Sequence, residues 1–196
     1  MILISKVLKS RVPQVLILTY FPVFGIIFKL KGKLDMFKVD DVVVYPAHGV
    51  AEIESIEERD ISGTKLSFMI MKVLDTQMTV MVPLTNINNV GIRPLIGKGE
   101  IDKVYNILKQ KDVHIDNQTW NRRYREYMEK IKSGNAMEIA EVLRDLNLLK
   151  KGKELSFGER KMYDTAKTLL VNEIFISRKL DKAAVEKKIT EALANE

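Results

Sequence analysis

The chain reads as an α+β protein: a small antiparallel β-barrel followed by an all-α domain of about five helices. Three observations predict this. Short β-branched runs separated by turn residues fill the stretch from Met36 to about Lys98. From about Gly99 onward the apolar residues return at helical spacing instead. A chain of 196 residues has room for one or two domains, and it lacks cysteine, so neither domain is stapled by disulfides or a thiolate zinc site.

The first 35 residues stand apart. They hold six Lys/Arg and one Asp, which supplies +5 of the formal net charge of +6. The remainder carries 26 basic and 25 acidic groups, so any nucleic-acid face there must be local. Val12 to Phe28 is a run of 17 residues without a charge, flanked by Lys6, Lys9, Arg11 and by Lys29, Lys31, Lys33. Three readings stay open. As a membrane anchor the run is short of the usual span of about 20 residues and is interrupted by Pro13 and Pro22. As a signal peptide it lacks an Ala-x-Ala cleavage site. The third reading makes Met36 the true start of translation. The expected division is therefore an extension over 1–35 outside the fold, a β domain over 36–98 and a helical domain over 99–196.

Within the β domain, Val42–Tyr45, Gly49–Ile56, Leu66–Leu74 and Thr79–Val82 read as strands, and Val90–Arg93 as a fifth. Ala47-His-Gly49, Ser62-Gly63 and Asp75-Thr-Gln77 supply the turns between them. Several short strands in so few residues predict a barrel of Tudor or SH3 type. His48 sits in a turn and reads as structural. Gly97-Lys-Gly99 is too short for a phosphate loop.

In the helical domain, Ile101, Val104, Ile107 and Leu108 mark a first helix. A second runs from Thr119 to Ile131 and stops at Ser133-Gly134, with Asp116, Asn117 or Thr119 as candidate caps. Asn135 caps a third, whose apolar face is Ile139, Val142, Leu143 and Leu146; Lys150-Lys-Gly152 ends it. Ser156-Phe-Gly-Glu159 is a capping box opening a fourth, which buries Met162, Ala166, Leu169, Leu170 and Ile174. Asp181 caps a fifth carrying Val185, Ile189 and Leu193. His114 has no second ligand at metal spacing, so no metal and no cofactor are expected. The absence of cysteine, of clustered histidines and of nucleophile-elbow or phosphate-loop motifs argues against an enzyme.

The second helix carries the candidate site. Trp120, the single tryptophan, lies in its first turn at the edge of a stripe made by Tyr124, Tyr127, Met128 and Ile131. Arg122, Arg123 and Arg125 lie beside it. Guanidinium groups neutralise phosphates, and an indole can stack on a base or wedge between bases. Residue types alone also fit, and favour, a core tryptophan with a solvated basic face.

Several motifs together shift that balance. Phe37-Lys-Val-x-Asp-Val-Val-Val-Tyr-Pro-x-His-Gly-Val50, Val82-Pro83, Trp120-Asn-Arg-Arg-Tyr-Arg125, Glu141-Val-Leu-Arg-Asp-Leu146 and Leu155-Ser-Phe-Gly-Glu-Arg-Lys-Met162 resemble, in order and spacing, the CarD/CdnL family of bacterial transcription regulators. The match is closest to the CdnL type found in myxobacteria. It begins at Met36 and leaves residues 1–35 uncovered.

The resemblance implies a Tudor-like domain that docks on the β subunit of RNA polymerase, and helices that meet promoter DNA beside the minus-ten element. Trp120 would wedge into the minor groove at the upstream edge of the bubble and stabilise the open complex. Arg122, Arg123 and Arg125 would be its basic companions on DNA. The polymerase-contact surface would fall on Met71, Met81 and Pro83, with Arg59 in the neighbouring turn. Some family members have arginine where this chain has Met81, so packing is the contribution expected there. The protein would be a cytoplasmic, nucleoid-associated monomer, at a membrane only if residues 12–28 act as an anchor. The alternative is an interaction module that uses the same β domain on another partner and leaves DNA untouched.

Overall fold

A computed structural model describes residues 37–113 and 119–194. The expectations for residues 1–35, and those for His114, Asp116 and Asn117, lie outside the described residues.

The β half is a five-stranded antiparallel sheet among the described residues. Strand β1 (Val42–Tyr45) turns through Ala47, at φ 65°, and Gly49, at φ 90°, into β2 (Gly49–Ile61). Ser62 and Gly63 both take positive φ, as a two-residue hairpin turn requires, and lead into β3 (Thr64–Val73). Strand β4 (Thr79–Pro83) follows. The run expected as a fifth strand over Val90–Arg93 divides instead. Ile87–Val90 is one helical turn, α1, which Gly91 ends in the left-handed region; β5 is then only Arg93–Pro94. The strand order is β4-β3-β2-β1-β5. The buried face carries Val43, Ile53, Met69, Met71 and Val73.

The helical half contains α2 (Lys98–Lys109), α3 (Trp120–Ser133), α4 (Ala136–Gly152), α5 (Phe157–Arg178) and α6 (Lys182–Ala194). The helix ends follow the sequence signals. Gly134 closes α3 at φ 70°, and the Asn135 side chain accepts from the Met137 amide at 2.9 Å. Asp181 accepts from the Ala184 amide at 3.0 Å. Val104, Leu108, Leu143, Leu146, Leu170, Ile174 and Ile189 fill one core among α2, α4, α5 and α6. Among the described residues, no helix is long and apolar enough to cross a membrane.

The two halves are fastened to each other. Arg93 of β5 grips Glu173 of α5 with two parallel bonds, at 2.5 and 2.9 Å. The same guanidinium donates to the Gly134 carbonyl at 2.8 and 2.6 Å, which satisfies an end carbonyl of α3. Glu173, almost fully buried, also accepts from the Ile96 amide at 3.1 Å. Pro46 packs so closely on Gly134 that a Cβ there would sit 3.1–3.3 Å from its atoms. Asn172 donates to Asp75 at 3.2 Å. The helix bundle is thereby held against the sheet through α5.

Candidate nucleic-acid and protein interfaces

Trp120 opens α3, with Thr119 at the N-cap in extended backbone. The indole is half-buried. It makes an edge contact with Tyr124, ring centroids 5.5 Å apart, and lies over Gly158 in the first turn of α5. The helix repeat places the exposed Tyr124 one turn further along the same side.

The three arginines separate by position on the helix. Arg122 is 69% exposed and lies 3.5 Å from Glu126, an i,i+4 surface pair of little energetic weight. Arg125 is exposed as well. Arg123 differs: its side chain is 13% exposed and donates to Glu159 at 3.2 Å. It stands three residues after Trp120 and four before the buried Tyr127, on the inward side of α3. The expectation that all three arginines face DNA therefore holds no place for Arg123, whose guanidinium is committed to an internal ion pair.

Glu159 is the hub of this corner. One of its oxygens accepts from the Ser156 amide and hydroxyl, both at 2.9 Å, completing the capping box read from the sequence. The other accepts from Arg123 and, at 3.1 Å, from Lys153. Burial pushes this carboxyl upward, but the Ser156 and Lys153 hydrogen bonds outweigh it and lower the pKa to about 2. A depressed carboxylate stabilises the fold above its ordinary pKa and loses that contribution as pH falls toward the folded value. The melting temperature of the wild type should thus exceed that of Glu159→Gln at neutral pH by an amount worth about 3 kcal/mol. The gap should close between about pH 4.5 and pH 2. A gap that stays constant over that range would remove the charge from this account.

Phe157, at 85% exposure, is the feature that sequence reasoning left unassigned. It is the first residue of α5 and lines an open groove with Ala47, His48, Asp75 and Thr168. The capping box hid it, because the motif fixes where the helix starts and says nothing about what its first residue presents. His48, read as a structural turn residue, stacks on Tyr45 with ring centroids 4.8 Å apart.

The sheet organises the second set of residues. Among the described residues strand β4 is an edge, paired only with β3, with one row of its backbone groups left for another strand. Residues directly opposite one another share a face. Met81 lies across from Ile70, and Pro83 across from Phe68. Phe68 lies across from Glu57, and Leu66 across from Arg59. Arg59, Met81 and Pro83 therefore occupy one face. Met81 is 47% exposed.

Two expectations change here. Arg59 lies inside β2 and not in a turn, and its guanidinium holds Glu57 at 2.9 Å. That bond, with a second from Ser55, lowers the Glu57 pKa. Met71 lies across from Ile53 and Val80, on the opposite face, and is completely buried. Strand alternation separates Met71 from Met81, so Met71 packs the sheet from behind and leaves no surface on the face that carries Met81. Among the described residues, no group of three or more His, Cys, Asp and Glu is arranged to hold a metal ion.

Comparison with known proteins bears on both interfaces. A family model described as CarD-like/TRCF RID domain matches residues 37–96, and one described as CarD, C-terminal domain matches residues 103–190. The chain is 35% identical over 156 residues to YdeB of Bacillus subtilis (strain 168), a proposed transcription factor; the alignment covers 79% of this chain and 97% of that one. The chain belongs to the CarD-like family. Such proteins are transcription regulators that interact with RNA polymerase. In this CarD-like chain the first match contains the whole sheet with its β4 edge. The second contains Trp120, its arginines and the Gly158-Glu159 corner.

Proposed function

We propose that this CarD-like protein docks the β4 edge of its sheet on the β subunit of RNA polymerase and stabilises the promoter open complex with Trp120. The observation that carries this reading is the corner of α3 and α5. There a half-buried indole rests on the first turn of α5, and Arg122 and Arg125 are exposed on the same helix as the indole. Trp120 wedges into the minor groove at the upstream edge of the bubble, beside the minus-ten element. Arg122 and Arg125 hold flanking phosphates, which position the protein without reading sequence. A wedge favours unstacked over closed duplex, so it shifts the equilibrium toward the open state. No chemical step is involved, and the protein acts as a monomer in the cytoplasm, on the nucleoid. The open-complex lifetime measured with purified polymerase, with and without the protein, tests the whole reading. An unchanged lifetime at several promoters would sink it.

Docking has its own test. Edge strands recruit partners through main-chain hydrogen bonds, with side chains adding specificity. Met81, flexible and exposed, gives an adaptable apolar contact there. Met81→Glu and Pro83→Glu should each weaken binding to the isolated β subunit by about tenfold or more, as central interface contacts do. Because Met81 is half in solvent already, Met81→Glu should leave the melting temperature nearly unchanged. Undiminished binding by both variants would move the interface elsewhere. If β-subunit binding survives but promoter binding shows no salt dependence, the protein is an interaction module without DNA contact.

A further inference from the structure

We propose that Gly158 and Glu159 are positioning residues for Trp120, forming a seat in the first turn of α5 that sets how far the indole projects. The proposal rests on the wedge reading above and deepens it. Gly158 is a helical residue without a positive φ, so its backbone does not call for glycine, and glycine is a poor helix former. What calls for it is the indole. A Cβ at Gly158 would stand 3.0 Å from Trp120 Cζ2, tighter than nearly all side-chain carbons approach, with Cε2 at an ordinary 3.6 Å. The bare backbone is thus the floor on which the ring rests.

Glu159 fixes the lateral position. It is the third residue of α5 and holds that helix start through Ser156. Through its other oxygen it also holds Arg123, one turn beyond Trp120 on α3. The first turns of α3 and α5 are therefore tied at the same point where the ring sits on Gly158. Tyr124 closes a further side with its edge contact. Of the wedge, what remains open is the part that this seat leaves uncovered.

The test uses the full chain, with the sole tryptophan as its own probe. Gly158→Ala should lift the indole by a few tenths of an ångström and shift the emission of Trp120. Alanine is the better helix former, so the melting temperature should hold or rise. Polymerase affinity should be unchanged, and the open-complex lifetime should shorten by about threefold to tenfold, a share of the stacking contribution. Glu159→Gln keeps an acceptor for Ser156 but loses the charge facing Arg123, and should move emission and lifetime in the same sense. In a Trp120→Ala background Gly158→Ala should leave the lifetime where Trp120→Ala has put it. An effect of equal size in that background would show that Gly158 acts by another route, and overturn the proposal. Unaltered emission in Gly158→Ala would overturn the seat itself. If Trp120→Ala shortens the lifetime and Gly158→Ala does not, the seat fails and the wedge stands. If Trp120→Ala has no effect, the wedge fails and the seat's positioning role with it.

Discussion

Trp120→Ala is expected to shorten the open-complex lifetime by roughly fivefold to hundredfold while polymerase affinity stays constant. Stacking of a base on an aromatic ring is worth about 1–3 kcal/mol, and the truncated side chain forfeits it. The competing outcome follows from packing. A fully buried tryptophan would cost about 3–5 kcal/mol of stability when cut to alanine. This indole is only half-buried, resting on Gly158 and against Tyr124. The stability loss should therefore be nearer about 1–2 kcal/mol, since only part of the ring leaves water on folding. Thermal melting beside the lifetime separates the two contributions. A large fall in melting temperature with an unchanged lifetime would return Trp120 to the core. Arg122→Ala provides the contrast. At 69% exposure it contributes little to stability. Its loss should instead weaken DNA binding at all sequences and reduce the salt slope by about one.

The features legible in the sequence were those written in neighbouring residues. Gly134, Asn135, Asp181 and the Ser156–Glu159 box all act within four residues of themselves, and the helices end where those signals place them. The β2–β3 hairpin was half legible. Ser62-Gly63 gives its turn, but the run Glu57-Glu58-Arg59-Asp60 lacks apolar alternation because that arm is exposed on both faces. A strand without a buried side leaves no period-two signal, so the sequence alone does not show that Arg59 lies in a strand.

The candidate site was legible in its composition and not in its geometry. Trp120 and three arginines were visible as types. That Arg123 turns inward depends on Glu159, 36 residues away, and no local pattern announces that pairing. The interface role expected of Met71 follows from its place in a strand, and the parity separating it from Met81 becomes readable only once the β3–β4 register is known. Arg93 shows the same limit. Its local sequence marks it only as the end of a fifth strand. Its partners, Gly134 and Glu173, lie 41 and 80 residues further along the chain.

Glu173→Ala should produce the largest loss of stability, about 3–5 kcal/mol. Removing one partner of a buried pair leaves the other charge in a poorly solvated place without compensation. Arg93 is 25% exposed and Glu173 only 4%, so little water can reach the gap. The Ile96 amide would lose its acceptor as well, a further cost for a buried donor. For a folded unit of about 150–250 residues each kcal/mol moves the melting temperature by roughly 2–4 °C, so a fall of roughly 6–20 °C is expected. The joint links β5, the end of α3 and the middle of α5, so sheet and helices should still melt in one transition in the wild type. Replacing both partners with methionine should cost clearly less than Glu173→Ala, because two apolar chains leave no buried charge behind. Calorimetry of the single and double variants decides the matter. A Glu173→Ala melting temperature within about 2 °C of the wild type, less than 1 kcal/mol on the same scale, would mean that the joint carries no net stability. The sheet would then have to be held to the bundle by the apolar contacts of Pro46 on Gly134 and Gly49 on Leu169.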